Sequence, residues 1–423
     1  GSVATLLARE GLDVILLEKA KHPRPQVGES LIPHFWHFAD QLGFTQKILD
    51  EGFIAKAGGI VSWDGDMRQL KFSDFGYPGR GGLHIERDRF DYLLLEHAAE
   101  QGVRIWEEVV VRSVDFTDPR GPAVLYDDRR NGDSRPGRVD CKTVIDATGF
   151  NALLAGQFQC RKLHQQKDRF VSLWGYYRNA SFIGADQKIY SADRVRAVKP
   201  VTYVTSFDEG WAWHIILRES TSVGLILYTA REKGVGKKGQ EQYFRDTCAS
   251  IPVLKDLLAP ATYIEDSFFA RPDYSYYSER IVGDHFYCIG DAAAFLDPIF
   301  STGVTTAMYH AALCAWAVKA SLKKPQRKPF YDQLFRDKVV QYYSFARLLI
   351  FGDFGAEGTD LELVKSIAKA LPPNEVELLF SAATMVHRPG HLRRIAVEAG
   401  LIPEGDGEAF VADKTTPVQS LAV

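Results

Sequence analysis

Cysteine is scarce in this chain. Five occur in 423 residues, at Cys141, Cys160, Cys248, Cys288 and Cys314, widely spaced and with no CxxC. That pattern excludes a disulfide scaffold and a cysteine metal knuckle, and it predicts reduced thiols in a cytoplasmic protein. Long apolar runs are also missing: the longest helical one, residues 311–322, ends in lysines. A membrane span needs roughly 18 or more such residues, so none is expected, and no signal peptide is apparent. Nor is there a charge surplus. Lysine and arginine number 51 against 54 acidic residues, a net −3, which gives no pull toward nucleic acid or an anionic bilayer. The eleven histidines form no ligand set. His34 and His37 stand alone, and Pro389-Gly390 interrupts the helical spacing of His387 and His391, so no metal is expected.

What is present is an ordinary globular composition, 46% hydrophobic and 25% charged, long enough for two or three domains or for one large α/β domain with an attached layer. Aromatics reach 12%, which suits a pocket for a flat ligand. The opening GSVATLLAREG reads as a helix with a Val3–Leu6–Leu7 stripe, stopped by Gly11. Residues 13–18, DVILLE, then read as a buried strand ending in Glu18. Helix, turn and acid-tipped strand form the second half of a dinucleotide-binding unit, in which the acid bonds the ribose hydroxyls. Gly1 stands where the third glycine of GxGxxG belongs, with Ser2 opening the helix. The first strand and first two glycines are therefore expected to precede this chain.

Further segments extend the pattern. A basic entry at Arg87 opens a helix whose face carries Phe90, Leu93, Leu94 and Ala98, and a strand over 103–111 follows. VIDATG (144–149) and FYCIGD (286–291) are strands that run into glycine turns, the second placing Gly290-Asp291 at its end. A literal GxGxxG at Gly234, Gly236 and Gly239 lies in a polar stretch with no acid-tipped strand after it, and reads as a basic loop. Together these segments resemble the FAD-binding aromatic hydroxylases up to about residue 320. The resemblance implies that Glu18 binds the adenosine ribose, Arg87 lies near the pyrophosphate, and Asp291 bonds the ribityl or pyrophosphate region.

Three motifs narrow the family. VGESLIP (27–33) holds Gly28, Glu29 and Ser30 in a stiff loop, FIAKAG (53–58) sets Lys56 ahead of a strand, and FLDPIFSTG (295–303) directly follows Gly290-Asp291. The last opens a helix over 304–322, and its unpaired N–H groups at a positive helix end suit a small anion. These motifs resemble those of flavin-dependent halogenases, enzymes of natural-product and antibiotic biosynthesis, with Phe295, Pro298, Ser301 and Gly303 matching the halide-turn pattern. Their WxWxIP signature appears as Trp211-Ala212-Trp213-His214-Ile215-Ile216, with Ile216 in place of proline. In a strand the two indoles share a face and could keep substrate off the flavin.

The resemblance implies an α/β protein. Residues 1–150 and 280–325 would form a doubly wound, Rossmann-like FAD domain, 151–279 a β-rich substrate layer, and 326–423 a helical region over the substrate entrance, with helices at 329–351, 360–371 and 373–385 and a frayed tail from Pro403. It further implies reduced FAD supplied by a separate reductase, chloride or bromide held at Thr302 and Gly303, and hypohalous acid that reaches Lys56 and halogenates an electron-rich aromatic, small or tethered to a carrier protein. His310 and Tyr309 are candidates for the base that takes the ring proton. Two rivals are a single-component hydroxylase using NAD(P)H and a non-catalytic flavoprotein-like module.

Overall fold

The computed structural model describes residues 1–77, 80–163, 170–228, 239–272, 275–351, 362, 364–366, 369 and 371–386. Gly234, Gly236, His387, His391, half of 360–371 and the tail from Pro403 lie outside the described residues. The fold is mixed α/β with a helical C-terminal region. Ile15–Leu17 pairs in parallel with Arg104–Trp106, and Val144–Asp146 in parallel with Phe286–Cys288. The helix Ser2–Arg9 buries Val3, Ala4, Thr5 and Leu7 and packs against the 21-residue helix Gly303–Lys323. Val3, Leu7, Leu154, Phe286, Tyr287, Ala311, Cys314 and Val318 share one core. Burial of such side chains contributes about 1.5–3 kcal/mol each for the larger ones.

The strand expected over 103–111 is two strands. Glu108 has φ 58°, which breaks the run, and Val109–Asp115 joins an antiparallel three-stranded sheet with Ala123–Asp128 and Arg135–Asp140. The largest sheet has eight strands. Its centre is Phe170–Arg178, Thr221–Tyr228, Gly210–Ile216 and Val201–Phe207, in that order. It does not keep to 151–279. Gly58–Trp63 pairs in parallel with Val201–Phe207, and Asp66–Lys71 folds back beside it. Two strands of the segment expected in the FAD domain thus belong to the large sheet. The turn at Asp64 and Gly65, both with positive φ, delivers this hairpin to the edge of a half-built sheet whose backbone groups need partners.

A small sheet joins the two layers, with Gly82–His84 between Ser30–Leu31 and Ile54–Lys56. The helices Lys328–Phe351 and Pro373–Val386 lie near the bounds expected for them, the second against Phe72–Phe75, Gly58–Trp63 and Asp66–Lys71. Tyr342, Phe345, Leu348, Val376 and Leu379 pack there with Phe72 and Phe75. All five cysteines are free. Among the described residues no helix is long and apolar enough to cross a membrane, and no cluster of three metal-ligating side chains occurs.

Candidate active site

Lys56 ends the strand Ile54–Lys56, paired with Gly82 across the small sheet. A Cβ on the adjacent Gly81 would stand 2.7 Å from the Lys56 carbonyl, so the glycines let the chains close over the lysine. On the other side Ala57 donates its N–H to the Pro200 carbonyl at 2.9 Å, which ties the segment to the large sheet. The side chain is only 4% exposed. Its ammonium lies 5.3 Å from the centre of the Phe72 ring. Burial pushes the pKa of the amine down to about 7.

Lys56 Nζ donates to Ser30 Oγ at 2.8 Å, and Ser301 donates to the same oxygen at 2.9 Å. The VGESLIP loop, the FIAKAG strand and the FLDPIFSTG turn therefore meet at one hydroxyl. Ser30 lies 3.0 Å from Thr202 Oγ1, and Thr202 lies 2.8 Å from His84 Nε2. His84 Nδ1 is 2.9 Å from the Ile216 carbonyl. The signature position occupied by Ile216 thus serves the network through its carbonyl, which proline would also offer.

The halide-type turn is tight. Ser301 takes φ 58° and donates its N–H to the Pro298 carbonyl at 2.9 Å. Helix Gly303–Lys323 starts after Thr302 with no side-chain cap, so no capping side chain takes up the first amides at its positive end.

The dinucleotide-type residues gather at strand ends. Gly1, ahead of helix Ser2–Arg9, sits where a Cβ would be 2.6 Å from Leu94 Cγ, so its small size lets that helix approach Arg87–Glu100. Glu18 follows the Ile15–Leu17 strand and accepts the Ala20 N–H at 2.9 Å. Gly28 has φ 107°, and a Cβ there would lie 2.7 Å from Arg87 Nη1. Arg87 donates to the carbonyls of Val27 and Gly28 and forks onto Asp91 through two bonds of 2.9 Å. Its charge acts on both Glu29 and Asp291. Burial nevertheless holds Glu29 at about 7 and Asp291 at about 6. Tyr176 donates to Glu29 Oε1 at 2.7 Å, the Ser222 hydroxyl also acts on the carboxyl, and among the described residues the buried Oε2 makes no hydrogen bond of ordinary length. A glycine cradle, an arginine and an incompletely satisfied buried carboxyl fit a ligand rich in hydroxyl, phosphate and ring-nitrogen groups.

Trp211 and Trp213 lie side by side, ring centroids 6.0 Å apart, among Val27, Phe150, Phe295 and Ile299. Both are buried. Gly224 on the neighbouring strand makes room: a Cβ there would stand 2.1 Å from the Trp213 ring. His310 does not suit the role of ring base. Its Nδ1 accepts the Gly290 N–H at 3.1 Å, which leaves Nε2 as the protonated nitrogen and no free lone pair. It braces the Gly290 turn instead. Tyr309 packs against Phe38 and Tyr342. Sequence reasoning missed His84 and Thr202. Only the place of Thr202 between Val201 and Tyr203, in a run of β-branched and aromatic residues, hinted at a buried hydroxyl.

The model of the tryptophan halogenase family matches residues 79–350, more than half of the chain. The chain belongs to that family. A flavin-dependent halogenase of Armillaria mellea, armH5, is 33% identical over 337 residues, covering 76% of this chain and 63% of its own. Tryptophan 2-halogenase of Chondromyces crocatus is 32% identical over 322 residues, 75% of this chain and 59% of its own. The chain thus spans about three-fifths of the length of these curated relatives. Among solved structures, the myxobacterial chondrochloren halogenase CndH, described as a variant of FAD-dependent halogenases, superposes with a TM-score of 0.72 at 26% identity, over 91% of this chain and 94% of that one.

Proposed function

We propose that this chain carries the catalytic site of a flavin-dependent halogenase acting on an electron-rich aromatic. The observation that carries the proposal is the meeting of Lys56 and Ser301 on the Ser30 hydroxyl. It joins a buried amine to the turn suited to a halide, and a hydroxylase passing oxygen to a ring at the flavin has no use for such an amine. FAD would be held by the helix start at Gly1 and Ser2, by Glu18, by Gly28, Glu29 and Ser30, by Arg87, by Gly290 and Asp291, and by the turn at Pro298 and Gly303. When bound and reduced by a separate flavin reductase, it supplies, with oxygen and halide, the hypohalous acid.

This chain's own residues do the rest. The amides of Thr302 and Gly303 hold chloride or bromide. The indoles of Trp211 and Trp213 fill the space beside Phe295 and Ile299 and keep an aromatic substrate off the cofactor. Lys56, half neutral near pH 7, either donates a hydrogen bond to hypohalous acid or attacks its halogen, and so delivers a positioned electrophile. The aromatic, small or carrier-tethered, approaches from the side of the C-terminal helices.

Lys56→Met and Lys56→Arg test this. Both are expected to lower halogenation by roughly 10²–10⁴, the range for a positioned catalytic group. FAD binding and the oxidation of reduced flavin by oxygen stay near normal, because that chemistry occurs at the cofactor. Product formation by Lys56→Met at more than about a tenth of the wild-type rate, outside that range, would overturn the assignment.

A further inference from the structure

The hydrogen bonds behind Lys56 have only one self-consistent direction. The Ile216 carbonyl can only accept, so His84 Nδ1 carries the proton that bridges their 2.9 Å separation. Nε2 of the neutral ring is then an acceptor, and Thr202 must donate its hydroxyl proton to it across 2.8 Å. Thr202 has no second proton, so its oxygen accepts from Ser30 at 3.0 Å. Ser30 has in turn committed its proton to Thr202, so its oxygen accepts from Ser301 and from Lys56. Lys56, Ser30, Thr202 and His84 are all buried, which leaves little water to scramble the order.

The ring is held neutral. Burial, the nearby Lys56 charge and His214 all depress His84 well below the usual histidine range, against the bond to Ile216. His214, on the strand behind it, is itself held at about 4 by burial. Burial is what lowers Lys56.

We propose that His84 and Thr202 are positioning residues that fix Ser30 as a hydrogen-bond acceptor and so keep the Lys56 lone pair free to attack hypohalous acid. This rests on the reading of Lys56 given above. In the step they serve, the amine nitrogen forms the N–Cl bond as the O–Cl bond breaks. The departing hydroxide takes a proton from the same nitrogen and leaves as water. Were Ser30 free to turn, its proton would cap the lone pair and block that attack.

Thr202→Val removes the acceptor at nearly constant volume, and Thr202→Ser restores it. The readout is reductive methylation of Lys56 by formaldehyde and cyanoborohydride on the whole chain, followed by peptide mass spectrometry from about pH 5 to 10, a window that brackets the lowered amine. In Thr202→Val the Ser30 proton turns to the amine. The midpoint is expected to move acidward by about half a unit to one unit, and the high-pH plateau to fall about three- to tenfold, the worth of one neutral hydrogen bond. Halogenation should lose kcat by a similar factor with KM unchanged. Thr202→Ser recovers all three. Ser30→Ala removes the acceptor without supplying a capping proton, so its midpoint falls while its plateau stays at the wild-type level. An unchanged midpoint and plateau in folded Thr202→Val, or a plateau loss in Ser30→Ala equal to that of Thr202→Val, would overturn the proposal. The expected methylation shifts in the variants, together with a wild-type chain that makes no halogenated product with FAD, reductase and chloride, would overturn the halogenase reading and leave the positioning role standing.

Discussion

The hydroxyls of Ser30 and Ser301 lie 2.9 Å apart although 271 positions separate them in the chain. This contact links the loop that carries Glu29 to the turn that opens the helix Gly303–Lys323. Lys56 is held at the same oxygen. A change at any of the three motifs is therefore felt by the other two, and non-additive effects are expected for paired substitutions among Ser30, Lys56 and Ser301.

The lowered pKa of Lys56 sets a pH dependence. Its folded value of about 7 lies below the ordinary 10.5, so between these values the unfolded chain binds more protons than the folded one. Stability contributed through this group therefore rises with pH across that window, and the buried amine destabilises the fold most at about pH 7 and below. Lys56→Met is expected to raise the melting temperature at pH 7 and to lose that advantage as pH approaches 10.5. Thermal unfolding of both proteins across pH checks this. Halogenation by the wild type should rise with pH through about 7 as the amine is freed.

Gly303 allows the proposed halide turn to be tested against a control that keeps its shape. A Cβ there meets nothing nearer than Phe295 Cε2 at 3.7 Å, so Gly303→Ala should fold and keep its chloride dependence. Gly303→Pro removes the N–H and disfavours the helical conformation of Thr302, whose φ and ψ are −92° and −12°. Halogenation by this variant is expected to need much more chloride, or to stop, while FAD still binds. Chloride titrations of the two variants side by side separate the added side chain, present in both, from the lost N–H and fixed turn of the proline.

Gly224→Ala should strike the tryptophan pair. The added methyl would stand 2.1 Å from the Trp213 ring and must displace it. An overpacked core of this kind loses about 1–3 kcal/mol. With the indole moved off Phe295 and Ile299, oxidation of reduced flavin should become less coupled to halogenated product. The ratio of product formed to oxygen consumed is the measurement.

Reductase dependence distinguishes the proposed activity from its main rival. The purified chain is expected to oxidise NADH only at a background rate and to make halogenated product when a flavin reductase is added. Fast NAD(P)H oxidation stimulated by an aromatic, without that partner, would point to a hydroxylase.

Much of this was legible from residues alone, because short motifs report local geometry. The strand that carries the two tryptophans (expected at 211–217, found at Gly210–Ile216 with every residue buried), the glycine turns after 146 and 288, and the helix after Gly303 are close to where local pattern and turn chemistry place them. What escaped was set by distant pairing. Thr202 reaches Ser30 across 172 positions and His84 across 118, through a parallel register that no local pattern encodes. The same pairing moved 58–71 into the large sheet. His310 looked available because spacing cannot show that its lone pair is already committed to Gly290.

The parallel pairing of Gly58–Trp63 with Val201–Phe207 has a kinetic consequence. Contacts between segments so far apart carry a large loop-closure entropy and form late. An amine not yet buried is expected to keep the ordinary lysine value near 10.5 and so to be charged at neutral pH. On the role proposed for it, Lys56 would gain its lowered pKa, and with it its reactivity, only once the large sheet is complete.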